Sequence, residues 1–418
     1  LTVSTPDQIF DFVFKYPGYE LKPAALSYAK VVIDEIQAYG ADLLAYIVCG
    51  LEKIVEMGGK FAVLTATLPP YIKDKLPQKA ECKGFLQEQC RHNLLVFDEE
   101  LNSADIAEKY QENEANGDSN KILVVCNTVK KAQAVFADLR EVLLDAEINL
   151  LHSKFIKKDR AAKEKQILAD GQTYCQDGSL HKKSVIWVAT QIVEASLDID
   201  FDYLFTELSD LNGLFQRLGR CNRKGVKSIA NANCFVFTDV DDRILTNSDG
   251  SRGFIDSKIY EVSCLALQEV QGVLSESDKV NLIEKYLTTE NLQNSCFEKH
   301  YKGHREFIKN LYSEELDFSE VDSRFRNIIS YDVIPSEVFR ENEELINNCL
   351  AVLLDEDDSF KANSYEEKIK AKIQAQNEIK QFAVPVGYFD IYFKKKDEKK
   401  TAVNTKLGNN GRLSLGRY

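Results

Sequence analysis

The chain has 418 residues, enough for two or three domains, and 44% of them are apolar, enough for well-buried cores. A net charge of −13 excludes a protein that holds nucleic acid by bulk attraction, but leaves room for a local basic groove. The opening residues do not read as a signal peptide and no apolar run is long enough to span a membrane, while ten scattered cysteines without a C-x-x-C pair read as free thiols of a cytoplasmic protein.

In chain order, LTVSTPDQIFDFVF begins in a strand-like apolar pattern, which Thr5-Pro6 breaks; a helix from about Asp7 follows, with Thr5 placed to cap it. Lys30–Ile33 (KVVI) then reads as a fully buried parallel strand running into Asp34-Glu35-Ile36-Gln37. Carboxylates at the carboxyl end of such a strand sit where open α/β sheets place their chemistry. There Asp34 can hold Mg²⁺ through its water shell and Glu35 can orient and deprotonate a water. A run of acids at a helix N-terminus, favoured by the macrodipole, accounts for the same residues. A second buried strand, Phe61–Leu64, ends in Thr65-Ala66-Thr67-Leu68-Pro69.

Residues 102–120 are polar and rich in Glu, Asn and Ser, and read as a linker between lobes. A regular alternation follows: strand Ile122–Cys126, helix Val129–Leu144, strand Asn149–His152, helix Lys157–Leu168, then strands at Val185–Ala189, Tyr203–Thr206 and Cys234–Phe237. Strands separated by helical patterns of this length predict a parallel, doubly wound sheet with its site at the strand ends. Asn127-Thr128 and His152-Ser153 each follow a strand and open a helix, a natural phosphate-binding corner; ordinary helix capping is the commoner account of Asn127, Thr128 and Ser153, and one residue can serve as both cap and phosphate ligand. Asp170–Lys183 reads as a hydrophilic surface loop.

Gln216–Gly225 (QRLGRCNRKG) sets Arg217, Arg220 and Arg223 three apart after an apolar helical start. Two or three guanidiniums at this spacing can converge, and their fork suits phosphate oxygens. The alternative is a basic helix face paired with acidic neighbours. From Thr238 to about Asp322 the chain is acidic and mostly helical in pattern. Cys296, His300 and His304 share a helical spacing but lack a fourth zinc ligand. Glu343–Leu354 and Ser364–Ile379 read as helices, and PVGYFDIYF as an aromatic strand. Ile391–Tyr418 carries eight Lys/Arg against two acids, so the remainder stands at −19 (−13 minus +6), and this end reads either as a phosphate contact or as a solvated tail.

DEIQ, TATLP and QRLGRCNR, in this order, resemble motifs II, III and VI of superfamily 2 helicases. VVIDEIQAY, LLHSKFIKKDR, VATQIVEASLDIDFD and QRLGRCNRKG resemble the CRISPR-associated helicase of type I interference complexes, a family that usually carries a metal-dependent HD nuclease domain as well. The resemblance runs from Leu1 to about Phe237 and thins beyond. It implies an α/β fold of two RecA-like lobes with parallel sheets and a small, mainly helical C-terminal domain. The implied division is 1–101 (first lobe, truncated at its N-terminus), 102–120 (linker), 121–242 (second lobe), 243–330 (helical connector) and 331–418 (C-terminal domain).

The resemblance also implies ATP-dependent translocation on single-stranded DNA, with ATP and Mg²⁺ as cofactors. The implied partners are a CRISPR RNA-guided surveillance complex and an HD nuclease domain. Glu35, Gln216, Arg220 and Arg223 would be catalytic. Asp34 (with Mg²⁺), Gln37, Thr190 and Asp198 would serve the nucleotide, Asp198 at the ribose or in coupling. Glu194, Ser196 and Asp200 continue the motif around Thr190. Thr5, Pro6, Asn127, Thr128, His152 and Ser153 would hold the nucleic-acid backbone, and Thr65, Thr67 and Arg217 would couple the two sites. Gln37 stands where many relatives have His. The sequence departs from the pattern in lacking a G-x-x-x-x-G-K-[ST] loop and any His-Asp dipeptide. The simplest expectation is a chain that begins partway through the first lobe and is inactive alone. A generic superfamily 2 remodelling ATPase and a non-catalytic scaffold are the rival readings.

Overall fold

Alternation, rather than continuous burial, marks the first sheet. In β1 (Lys30–Asp34), Val31 and Ile33 are buried while Val32 is 57% exposed; β2 (Lys60–Leu64) pairs with it in parallel and leaves Leu64 57% exposed. The expectation of a strand buried on both faces is therefore corrected: only one face is covered. The structure, a computed structural model, describes residues 2–77, 83–84, 89–117, 119–194, 197–247, 250, 252–270, 272–313, 315–316, 320–321, 330–354, 365–387, 403–407 and 413–417. No strand forms at residues 2–5; α1 (Pro6–Phe10) starts directly, and Thr5 sits at its N-cap without accepting the side-chain bond expected of it. The short α2 (Leu21–Leu26) precedes β1, and α3 (Ala41–Glu56) joins β1 to β2. Gly50 lets α3 approach the Phe10 ring, where a Cβ would stand 2.4 Å from Cδ1. The short α4 (Pro70–Lys73) follows β2.

A seven-stranded sheet comes next, built from β3 (His92–Glu100), β4 (Asn120–Val125), β5 (Ile148–Leu151), β6 (Ser184–Ala189), β7 (Tyr203–Glu207), β8 (Cys234–Asp239) and β9 (Gly272–Leu274). Its order is β5-β6-β4-β7-β8-β3-β9, with β9 antiparallel to β3 and the pairs β4/β6, β4/β7, β7/β8 and β3/β8 parallel. All six residues of β4 are buried, as a central parallel strand covered on both faces requires. The helices are α5 (Ser103–Asn116), α6 (Val129–Val142), α7 (Lys157–Asp170), α8 (Leu211–Leu218), α9 (Ser257–Leu267), α10 (Glu276–Tyr286) and α11 (Cys296–Asn310). The stretch read as a linker is thus mostly helix: Asn102 caps α5 by accepting from Asp105 N at 3.0 Å, and Ile106, Ala107 and Tyr110 are buried on one stripe. Nor is Asp170–Lys183 wholly a surface loop, since Asp170 is buried and accepts from the buried Trp187 Nε1 at 2.9 Å.

The chain divides into two units, residues 1–150 with 170–327, and residues 151–169 with 328–418. Within the first, α11 packs along α3, with Tyr46 Oη 2.8 Å from His304 Nδ1 and Arg305 paired with Glu52. The second contains most of α7 and a four-stranded antiparallel sheet, β11-β10-β12-β13, formed by β10 (Ser330–Ile334), β11 (Val384–Gly387), β12 (Val403–Leu407) and β13 (Leu413–Arg417). With α12 (Ser336–Glu341), α13 (Glu343–Leu354) and α14 (Tyr365–Gln381), helix outweighs strand among the described residues of this unit, as expected, and the four-stranded sheet is the part the sequence reading did not foresee. Ile334, Ile346, Leu350, Ile379 and Phe382 form its core.

Candidate functional site

The backbone singles out Glu35. Asp34 ends β1, and Glu35 takes φ 48° and ψ 52°, a left-handed conformation that non-glycine residues seldom adopt. Its N–H donates to Leu64 O at 2.8 Å, so the neighbouring strand holds the turn. Gln37 Nε2 donates to Glu35 Oε2, and Thr65 Oγ1 lies 2.6 Å from Gln37 Oε1 and 2.7 Å from Thr67 O. One polar knot thus joins the segment after β1 to the segment after β2. Asp34 is exposed beside it. Thr67 Oγ1 in turn stands 3.5 Å from Oδ1 of Asn212 on α8.

α8 begins where Asp210 accepts from Gly213 N at 3.0 Å, and it ends at Leu218, so only the first of the three arginines is helical. The three do not converge. Arg217 is fully buried at the ends of β4 and β7, and its guanidinium donates to Glu194 Oε1 (2.7 Å), Thr206 Oγ1 (2.9 Å), Glu207 O (2.5 Å) and Asn127 Oδ1 (3.1 Å). Burial raises the Glu194 carboxyl above its usual range, against the pull of Arg217. Burial likewise raises Glu207, whose Oε2 accepts from Asn127 N at 2.6 Å.

Arg220 lies beyond the helix, donating to Val193 O (3.0 Å) and Glu194 O (2.6 Å) in the segment after β6. Burial, then the nearby Arg223, lowers its pKa; Asp198, Glu194 and Glu35 act in the opposite sense. Glu35, from the first sheet, is thus close enough to be felt by Arg220. Arg223 pairs with Asp198 at 3.0 Å, so the residue read as a ribose or coupling group is an arginine partner here. Gln216 is half-buried on α8, four residues after Asn212.

Asn127 is buried, and its amide is taken up by Leu208 O (2.7 Å) and Arg217, a pinning role rather than an open phosphate contact. Thr128 caps α6, accepting from Lys131 N at 3.1 Å. Thr190 is buried after β6, and the next residue, Gln191, donates to Asn127 O at 2.8 Å. Asp200 is buried, accepting from Thr173 Oγ1 at 2.7 Å and Arg223 N at 2.8 Å. Thr5 is exposed and Pro6 opens α1. In the second unit, His152 is buried, stacks on Phe155 with ring centroids 4.3 Å apart and lies 3.2 Å from Lys154 N; Ser153 beside it is exposed. Ser196 and most of the basic stretch from Ile391 lie outside the described residues.

Cys296 and His300 share a turn of α11, whereas His304 bonds Tyr46; among the described residues no three His, Cys, Asp or Glu side chains gather to hold a metal. Asp34, a single exposed hard oxygen donor, suits Mg²⁺ shared with a nucleotide's phosphates rather than held by protein alone. No described helix is long and apolar enough to cross a membrane. The sequence pattern did not point to Asn212, Glu207 or His92, whose places here follow from chain segments far apart in sequence.

Residues 118–226 match a family model described as CRISPR-associated nuclease/helicase Cas3, C-terminal. The chain is 28% identical over 378 residues to the CRISPR-associated nuclease/helicase Cas3 of Methanothermobacter thermautotrophicus, covering 84% of this chain and 42% of that protein. It is similar in fold to T. fusca Cas3 crystallised with AMPPNP, with a TM-score of 0.58 and 19% identity over 77% of this chain and 42% of the other. A chain of a CRISPR RNA-guided surveillance complex in a pre-nicking state matches with a TM-score of 0.56 and 18% identity, over 77% of this chain and 45% of the other. The chain thus spans less than half the length of each.

Proposed function

We propose that this chain, a homologue of the Cas3 nuclease/helicases, forms part of an ATP-driven translocase on single-stranded DNA that works with a CRISPR RNA-guided surveillance complex in target degradation. The observation that carries the reading is Arg220, on the segment after α8, lying within electrostatic reach of Glu35 at the end of β1. A carboxylate and a guanidinium brought into charge–charge range from two chain segments, which also touch at Thr67–Asn212, are the two kinds of group that hydrolysis of a γ-phosphate needs.

Glu35 would orient the attacking water and take its proton, with Gln37 and Thr65 fixing the carboxylate. Arg220 and Arg223 would neutralise charge developing on the transferred phosphoryl oxygens. Asp34 would hold Mg²⁺ together with the phosphates, and the ion would offset their negative charge. Arg223 would exchange Asp198 for phosphate, which makes Asp198 its resting partner. Thr67–Asn212 is the route by which the state of the first site would reach α8. Thr128, Ser153 and the Thr5-Pro6 turn remain available for backbone phosphates, and the HD nuclease would be a separate domain or polypeptide.

The test is ATP hydrolysis with and without single-stranded DNA, by the 418 residues and, where the gene encodes more, by the longer gene product that includes them. The 418 residues contain no phosphate loop, so negligible hydrolysis is expected from them and DNA-stimulated hydrolysis from the longer protein. Robust turnover by the 418 residues, or none by the longer protein, would sink the reading. Equal stimulation by RNA would move it to a generic remodelling ATPase.

A further inference from the structure

The segment that carries Arg220 and Arg223 leaves α8 at Leu218, and its grip comes from the far edge of the sheet. A parallel bridge ties Cys221 to Phe201, and Asn222 sits at φ 44°, so the backbone turns sharply between the two arginines. The carbonyls flanking that turn are each held by a side chain from the start of β3. His92 Nε2 lies 3.0 Å from Cys221 O, and Arg91 Nη1 donates to Arg223 O at 2.9 Å.

Both holders converge on α10. His92 Nδ1 accepts from Lys279 Nζ at 3.0 Å, which leaves Nε2 to carry the proton toward Cys221 O. Lys279, 3% exposed, pairs with Glu276 at 2.8 Å, and Arg91 Nη2 reaches the same Glu276 oxygen at 2.5 Å. One carboxylate therefore closes two chains of contacts, each ending on a carbonyl of the arginine segment. Lys279 and Arg91 keep that carboxyl below its usual range although burial opposes them.

We propose that Glu276 is a positioning residue: through Arg91 on one side and Lys279–His92 on the other, α10 sets where the guanidiniums of Arg220 and Arg223 can reach. This rests on the ATP-hydrolysis reading for its kinetic consequence alone. A positioning group fixed this way costs turnover rather than nucleotide affinity when lost, because the arginines act chiefly in the transition state.

Two measurements test it. The chain has five histidines, so spectra of the 418 residues labelled with ¹⁵N-histidine and ¹⁵N-arginine are sparse; the signals lost in His92→Gln are those of His92, expected to be a neutral, Nε2-protonated imidazole. Glu276→Gln should shift both His92 nitrogens and the Nε–H signals of Arg220 and Arg223; unmoved signals in a folded variant would overturn the proposal. In the longer gene product, Glu276→Gln should lower kcat about tenfold with KM for ATP within about twofold, and should cost less than about twofold once Arg220→Lys is present. Equal losses in both backgrounds would mean a merely structural role and would also overturn it. If Glu276→Gln fails to fold, Arg91→Lys serves for both measurements: it keeps the charge against Glu276 but loses the fork that also spans Arg223 O. A longer protein without ATPase would defeat the hydrolysis reading, and the spectra alone would then decide whether α10 positions the segment.

Discussion

Two arginines three residues apart have opposite fates, and the difference is burial. Arg217 is fully buried with four acceptors, among them the Glu194 carboxylate. Arg217→Ala would strand that carboxylate in low dielectric, and we expect a loss of about 3–5 kcal/mol in denaturant unfolding. A loss under about 1 kcal/mol would mean the site relaxes or admits water. Glu35 belongs to the other class, half-buried and hydrogen-bonded by Gln37 but without a buried cation paired to it. In the longer gene product Glu35→Gln keeps the shape and removes the carboxylate proposed as base, so turnover should fall by about 10²–10⁴ while ATP binding is retained. Loss of nucleotide binding, with hydrolysis per bound ATP unchanged, would remove Glu35 from the role of base.

At the scale of elements, the sequence was most legible where burial is complete. β4 and β6 read as unbroken apolar runs because both faces of a central parallel strand are covered. β1 has the same composition but lies in a two-stranded sheet, so its alternation emerged only from the fold. α5 escaped because its buried stripe is three side chains in a polar background, and a helix held by so little apolar surface resembles a linker. The D-E-x-Q, T-A-T and arginine motifs were found from spacing. The burial of Arg217 and the α10 grip were not, since both depend on sheet order.

The His92 contact between β3 and the arginine segment carries a pH signature. Burial first, then Lys279 and Arg91, lowers its pKa to about 3, with the Cys221 carbonyl and Glu276 pulling back only in part. The unfolded imidazole, titrating at about 6.5, binds more protons below that pH than the folded one does. The contribution is therefore present above pH 6.5 and lost as pH falls toward about 3, at up to about 1.4 kcal/mol per unit. Urea unfolding across that window should show the slope, and His92→Gln should flatten it; an unchanged slope would place the titration elsewhere.

For the molecule as a whole, the helix after the seven-stranded sheet returns to the first one. Tyr71 N donates to Leu287 O at 3.1 Å, Lys75 pairs with Glu298 at 2.8 Å, and α11 then runs along α3. Helices so joined should open together. In hydrogen exchange followed by mass spectrometry, Arg305→Ala, which removes the pair with Glu52, should weaken protection of α3 and α11 in parallel and leave β4 and β6 unchanged. Loss confined to α11 would show the two helices to be independent.

That return means the chain joins the first sheet to the seven-stranded one twice, once between α4 and β3 and again between α10 and α11. A door hung on a single pin can swing, tilt and twist; hung on two, it keeps only the swing about the line through both. Two such connections would leave the Glu35 side less freedom against the Arg220 side than one would. In the translocase proposed above, fewer permitted motions would make each stroke more like the next.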